Sequence, residues 1–306
     1  MINLFVQKLI NFFPTENIPQ NKLIKFFIKL IYFLIRNFLT GPFIIKTKFF
    51  KIYAYPQKKE SSSIYYRGFH EYDFLIKINN LYDRNSKILF LDVGANVGNN
   101  TLSVSNYFKN LSCYSFEPHP KYFEQLKNNV KLNSLKNVRC FDLCIGNSNK
   151  KINFYLDKSN PGGATVFKDN ISFHPKLSKP NLFEILVDEV SLDEFLKNKE
   201  LKSFKNFFLK IDVEGGEKNV LDGAYNFIKK YNPDILLEIE EKNFLDNKSI
   251  ENNLQDLKKL NYNFYKNFLF KVDIEKEIQF FKNKLIDQKH FHYDFFITKK
   301  NYNSIN

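Results

Sequence analysis

The sequence predicts an α/β fold built on a doubly wound parallel sheet. Three observations predict it. A continuous apolar strand, Ile88-Leu89-Phe90-Leu91-Asp92-Val93, stops at Gly94, as buried parallel strands do. The next strand ends in Phe116-Glu117-Pro118, which brings a carboxylate about 20 residues after the glycine turn. From there strand and helix signals alternate almost to the end of the chain.

Taken in order, residues 1 to about 60 read as an N-terminal helical arm with a short apolar strand, closed by the polar turn 57–63. Residues 61–306 read as the α/β domain, with an insertion near 150–190. After the first strand, Thr101 to Phe108 is expected as a helix and Leu111 to Phe116 as the second strand. Pro120 to Asn133 follows as a helix and Val138 to Ile145 as the third strand. Ile152 to Leu156 and Phe183 to Val187 flank the loop Pro161-Gly162-Gly163 as extra strands. Ser191-Leu192-Asp193-Glu194 reads as a capping box, Ser191 bonding the helix N–H groups and Glu194 reaching back. Phe207 to Ile211 and Ile235 to Ile239 are the fourth and fifth strands, joined by a helix over Lys218 to Tyr231. The tail adds a strand near Tyr262 to Tyr265, a helix within Ile274 to Asp287 and a strand at Tyr293 to Thr298.

Composition narrows the class. With 43% hydrophobic and 26% charged residues the chain is globular rather than disordered. Its net charge of +13 comes from 46 Lys and Arg against 33 Asp and Glu. In a chain so rich in Asn, Ile and Phe, that excess fits an AT-rich genome as well as a polyanionic partner, so no nucleic-acid partner is expected. Cys113, Cys140 and Cys144 lack CxxC or Cys/His spacing and lie in apolar runs, as buried, reduced thiols do in the cytoplasm. The N-terminal apolar stretch lacks a small-residue cleavage site, so no secretory signal is read.

Leu23 to Leu39 is too interrupted by Lys25, Lys29 and Arg36 to span a membrane. Those charges share one broad helical face, opposite Phe26, Phe27, Leu30, Phe33 and Leu34. Packing on the chain's own domain or a second subunit fits this pattern, and so does contact of residues 23–39 with the inner membrane surface.

The residues that carry chemistry cluster at strand ends. Gly94 and Gly98, in Asp92-Val93-Gly94-Ala95-Asn96-Val97-Gly98, let a backbone approach a ligand closely, and Glu117 stands where such sheets hold ribose hydroxyls. A dinucleotide site prefers glycine at the position of Asn96, so a pyrophosphate is poorly served. Asp92 aims an acid at a cationic group, which an amino-acid ammonium or sulfonium supplies and a diphosphate does not. S-adenosylmethionine is the cofactor this chemistry favours; capping of the following turn is the alternative for Asp92.

At this point a resemblance becomes specific. The run Leu91 to Gly98, then Phe116-Glu117-Pro118, Asn129-Val130-Lys131-Leu132-Asn133, Ser191-Leu192-Asp193 and Lys210-Ile211-Asp212-Val213-Glu214-Gly215-Gly216-Glu217 closely resemble the FkbM family of methyltransferases. Tyr66 to Glu71 also resembles the segment before that family's first strand, and the match covers roughly residues 65 to 265. The resemblance implies a class I methyltransferase Rossmann-like fold, S-adenosylmethionine as donor, and O-methylation of a sugar, glycan or related natural product. It implies that Gly94, Ala95 and Asn96 line the methionine portion, Glu117 the ribose, and Asp142 and Cys144 the adenine. Cys144 stands where a small residue is usual, and Asn261 where glycine is usual.

Asp212, Glu214 and Glu217 follow an apolar strand at the carboxyl edge where open α/β sheets bind ligands. Asp212, Glu214 and His70, in that order, are candidates for the base that takes the acceptor's proton. For Glu217 the plainer reading is the start of a helix, and for Lys210 a pairing with an acid. The acids can alternatively hold a divalent cation, but no fourth oxygen ligand can be named, and His290 and His292 read as surface residues; no metal site is assigned. A nucleic-acid N-methyltransferase carries an Asn-Pro-Pro-aromatic motif after the fourth strand, whereas here Asn232-Pro233-Asp234 precedes the fifth. A non-catalytic protein of the same fold is the other alternative, since fold alone does not establish turnover.

Overall fold

The structure is a computed structural model. It describes residues 26, 27, 29, 30, 33, 42–55, 75, 78, 79, 81–83, 85–157, 164–167, 182–244, 249–286 and 291–300. His70, Lys25, Arg36, His174, His290 and the loop Pro161-Gly162-Gly163 lie outside those residues. Two compact units are formed: residues 1–86, 96–110 and 121–138, and residues 87–95, 111–120 and 139–306.

In the first unit, β1 (Phe43–Lys46) and β2 (Lys51–Ala54) make an antiparallel hairpin where the sequence suggests one strand. Thr47 shapes its turn, its Oγ1 accepting from the N–H groups of Phe49 at 3.1 Å and Phe50 at 3.0 Å. The N–H groups of Lys51 and Tyr53 on β2 need partners. The side-chain oxygens of Asn133 and Asn129 accept from them at 2.8 and 2.9 Å, while Gln125 Nε2 donates to the Tyr53 carbonyl at 2.9 Å. These amides come from α2 (Pro120–Leu132) and the residue after it, so the Asn129 to Asn133 motif clamps the hairpin. Asn129 is fully buried and also donates to the Val97 carbonyl at 2.8 Å. The helix α1 (Asn99–Tyr107) starts from Gly98, whose φ of 98° is a glycine conformation. A Cβ there would also stand 2.6 Å from Leu126 Cδ1. Phe26, Phe27, Leu30 and Phe33 are helical and exposed.

In the second unit the strands are β3 (Ile88–Val93), β4 (Leu111–Phe116), β5 (Val138–Phe141), β6 (Cys144–Gly146), β7 (Lys150–Asp157), β8 (Leu182–Ser191), β9 (Asn206–Ile211), β10 (Asp234–Glu240), β11 (Asn263–Lys266), β12 (Phe270–Val272) and β13 (His292–Thr298). The helices are α3 (Leu192–Leu196), α4 (Glu217–Gly223), α5 (Tyr225–Tyr231), α6 (Glu251–Lys259) and α7 (Ile274–Ile286). Eight strands form one sheet in the order β12-β11-β13-β10-β9-β3-β4-β5. β4, β3, β9 and β10 run parallel, and β13 enters antiparallel between β10 and β11.

Ladder partners share a face, and that sorts the side chains. Leu91, Val93, Leu209, Ile211, Leu237 and Ile239 pack with helix residues such as Val220, Phe227, Leu254 and Phe281 into the main core. Each such side chain contributes about 1.5–3 kcal/mol through burial. The other face carries the stacked pair Phe90 and Phe208, and then, one step nearer the carboxyl edge, Asp92 paired with Lys210.

Three sequence expectations change in this unit. The third strand is not continuous: β5 ends at Phe141, and Cys144 begins β6 in a separate three-stranded sheet ordered β6-β8-β7. The single helix expected over Lys218 to Tyr231 is two, broken at Ala224 just after Gly223, which lies against the Gly146 carbonyl so closely that a Cβ would be 1.9 Å away. Asp193 caps the second of them, its carboxylate accepting from the N–H groups of Asn226 at 3.0 Å and Phe227 at 2.7 Å. The capping box is half made: Glu194 N–H donates to Ser191 Oγ at 3.2 Å, but Glu194 pairs with Lys197 and Ser191 N–H donates to Asn149. Asn261, which replaces a usual glycine, holds φ 64° where the chain leaves α6. Asn is one of the few residues that tolerates this conformation.

Candidate active site at the carboxyl edge of the sheet

β3 delivers Gly94 and Ala95 to the tip of β4, where both backbone N–H groups donate to the Phe116 carbonyl, at 3.1 and 3.0 Å. The Asp212 N–H donates to the Val93 carbonyl at 3.2 Å. Gly94 has φ 79°, and a Cβ on it would stand 1.8 Å from the Asp212 carbonyl oxygen. Glycine is therefore required here by the fold itself, before any ligand is considered. Asn96 and Gly98 continue the turn in the chain and belong to the first unit. There Asn96 takes φ 52°, with its Oδ1 accepting from the Val97 N–H at 2.8 Å.

Glu117 is buried at the end of β4, and its Oε1 accepts from the His119 N–H at 2.8 Å, which fixes the carboxylate at the strand tip. Asp142 is exposed between β5 and β6. Cys144 turns its side chain into a small apolar cluster with Phe154, Leu156 and Val187. Burial pushes its thiol pKa up, and Glu189 and Glu117 add to the shift, so no thiolate forms there.

Asp92 is fully buried, and the cation it faces is Lys210, whose Nζ lies 3.5 Å from its Oδ1. Where the sequence aims this acid at a cationic ligand, the fold supplies a partner from within. The same ammonium stands 3.0 Å from Asp212 Oδ2. Burial opposes the charge on Lys210, but Asp212 and Asp92 outweigh it and hold its pKa above the usual lysine range. Burial likewise disfavours ionised Asp212. Lys210, a hydrogen bond with Glu238, and Lys242 overcome that effect and hold Asp212 well below the usual carboxylate range.

Further along the edge, Lys242 bridges Glu214 Oε2 at 2.7 Å and Glu240 Oε2 at 2.5 Å. Glu214 reaches it from a left-handed backbone, φ 55°, a conformation that costs a non-glycine residue about 1 kcal/mol or more. Thr165 Oγ1 donates to the Glu214 carbonyl at 2.8 Å and braces that turn. Burial raises the pKa of Glu214 despite Lys242. Glu238 is pushed well up by burial and by the negative charge of Asp212. His292 Nε2 lies 2.6 Å from Glu238 Oε1. Glu217 begins α4, but its main work is in the loop: Oε1 accepts from the N–H groups of Val213 and Gly215 at 3.3 and 3.1 Å, and Oε2 from Asn243.

The structure thus brings Asp92, Gly94, Ala95, Glu117, Asp212 and Glu214 to one edge of one unit, and sets Asp142 and Cys144 on the segment leading into the small sheet. Sequence reasoning misses Glu238, Glu240, Lys242 and His292. The available signal was the alternation Glu238-Ile239-Glu240 at the end of an otherwise apolar strand, which places two acids on one face.

The sheet order, with its antiparallel strand inserted next to the last parallel one, defines a class I Rossmann-like methyltransferase fold. The sequence profile of the "Methyltransferase FkbM domain" matches residues 92–302, more than half of the chain, and the chain belongs to this family. No curated protein matches it significantly. Among solved structures, it is similar to the methyltransferase FkbM from Methylobacillus flagellatus KT, at 17% identity and TM-score 0.33. That alignment covers 51% of this chain and 33% of that one, so the chain spans about a third of that protein's length. It is also similar to M. jannaschii TYW2 in complex with AdoMet, at 12% identity, coverage of 86% and 88%, and TM-score 0.40. A third similarity is to precorrin-6y C5,15-methyltransferase from Geobacter metallireducens GS-15, at 12% identity, coverage of 73% and 85%, and TM-score 0.37.

Proposed function

We propose that the chain transfers a methyl group from S-adenosylmethionine to a hydroxyl oxygen of a sugar, glycan or related natural product. The observation that carries the reading is the juxtaposition, on one edge, of a rigid close-approach turn, a fixed strand-tip carboxylate and a row of ion-paired acids. Residues and cofactor fit. Gly94 and Ala95 spend their N–H groups on Phe116, so they offer a small, shaped wall rather than donors, which suits the aliphatic methionine portion. Glu117 offers an acceptor for ribose hydroxyls. When bound, the cofactor supplies an electrophilic methyl on a sulfonium.

The chain's task is then to bring an acceptor oxygen into line and to remove its proton. Asp212 is the first candidate to meet that oxygen, since it leaves β9 beside the glycine turn. Its charge is strongly held by Lys210, which makes it better at orienting a hydroxyl than at keeping the proton. Glu214, more weakly ionised, is the second candidate. A groove of about 490 Å³ lined in part by Asn153, Tyr155, Val166, Phe167 and Asn219 offers amides and aromatic rings to an acceptor. Thr165, beside it, bonds the Glu214 turn. The test is radiolabelled methyl transfer to a panel of hydroxyl acceptors. Asp212→Asn is expected to bind cofactor normally and lose about two orders of magnitude in kcat. Wild-type turnover in that variant would remove Asp212 from the transfer step.

A second proposal is that the segment containing Phe26, Phe27, Leu30 and Phe33 rests on an anionic membrane surface. These four side chains are 41–59% exposed, and Lys29 is exposed among them. Within the described residues no helix is long and apolar enough to cross a membrane. Flotation with anionic vesicles, weakening as salt rises, is expected. Absence of flotation at low salt would end this proposal.

A further inference from the structure

We propose that Glu238, Glu240 and His292 form a binding site for a first-row divalent cation at the carboxyl end of β10. This goes beyond methyl transfer and does not depend on it.

The ladder dictates the convergence. Glu238 and Glu240 are two residues apart on β10 and so point to the same face, and Glu240 pairs directly with His292 on β13. One ligand atom from each of the three lies within 4.8 Å of the others. Two atoms bound to one ion at about 2.1 Å and a tetrahedral angle stand about 3.4 Å apart, so small side-chain rotations complete the set. Both strands are held in the sheet, which fixes the backbone from which the ligands project.

The outer atoms of the ligands are held too. Glu240 keeps Oε2 on Lys242 at 2.5 Å, leaving Oε1 on the side of His292 Nδ1, 3.9 Å away. Glu238 presents Oε1 to His292 and is hydrogen-bonded to Asp212. Such outer contacts are what orient metal ligands elsewhere.

The charges of the neighbouring residues agree with that geometry. Lys210 pairs with Asp92 and Asp212, and Lys242 with Glu214 and Glu240, so the ligand carboxylates stand on an acid-rich edge that a cation would suit. One imidazole with two carboxylates suits manganese or zinc rather than a soft thiophilic ion. The partly exposed His292 leaves the ion reachable from solvent, with coordination positions for water or an acceptor oxygen.

The test uses the tag-free full-length chain, stripped with chelator and titrated calorimetrically with manganese(II) chloride, without cofactor or acceptor. Loss of the free-ion paramagnetic resonance signal serves as a second readout. Saturable one-to-one binding is expected for the wild type, weakened at least tenfold in both His292→Ala and Glu240→Gln. Asp256→Asn, a half-buried acid on α6 that pairs with Lys259, should bind like the wild type. The partly exposed position of His292 makes its alanine variant safe for folding, so it decides the matter even if Glu240→Gln is unstable. No binding by the wild type would show that His292 and Glu238 form an ion pair only, and would overturn the proposal. Equal binding by all four chains would overturn it as well, by putting the ion elsewhere. Because cofactor is absent throughout, these results are separable from any failure of methyl transfer.

Discussion

At the β3–β4 end of the sheet, the site is made of backbone: two N–H groups converge on the Phe116 carbonyl, Gly94 lies against the Asp212 carbonyl, and one acid, Glu117, is pinned by a neighbouring N–H. At the β9–β10–β13 end it is made of charge. Lys210 and Lys242 each hold two acids there, and Glu238 stands between Asp212 and His292. At the first end Gly94 leaves no room for an added Cβ. The second has fixed strands and side chains whose pKa values their neighbours shift strongly. Under the proposed function, the rigid turn would meet the cofactor and the charged row the acceptor and its proton.

Substitutions break the two ends in different ways. The largest effect is expected from Gly94→Val, which combines a strained φ with a clash against backbone that cannot move aside. Loss of more than about 3 kcal/mol is expected, and with it a cooperative thermal transition. A folded Gly94→Val with a normal melting curve would show that the approach of β9 to the turn is not tight. Lys210→Met comes next. It leaves Asp92 fully buried without its ammonium, a loss of about 3–5 kcal/mol measurable by denaturant titration. The double variant Lys210→Met with Asp92→Asn should recover much of that stability, because the uncompensated charge is gone. Failure to recover any would mean Lys210 acts through packing, and the contrast between a shape-built and a charge-built end would weaken.

Much of this arrangement was legible in the sequence. The apolar run into Gly94 gave β3, and β4 begins and ends at the expected residues, because buried parallel strands need unbroken hydrophobic stretches. What escaped depends on contacts between distant residues. Nothing local announces that Gly223 must fit against Gly146, or that Glu189 fills the space a Cβ on Gly146 would need, so the helix break and the small sheet were hidden. Asp193 looks like part of a capping box for its own helix, yet its carboxylate caps α5, 33 residues on. Asn129 and Asn133 belong to a recognisable motif, but their role as partners for an edge strand near residue 53 appears only in three dimensions. His292 pairs with Glu240 across 52 positions of chain, which hides the third ligand of the inferred cation site.

Calorimetric titration of S-adenosylmethionine into the wild type and Glu117→Ala tests most directly the proposal that the β3–β4 end binds this cofactor through Glu117. Saturable one-to-one binding is expected in the wild type. The variant should bind more weakly by about 1.5–3 kcal/mol, since hydrogen bonds to a charged group are lost. Absence of binding in the wild type, or equal affinity in a folded Glu117→Ala, would contradict the assignment.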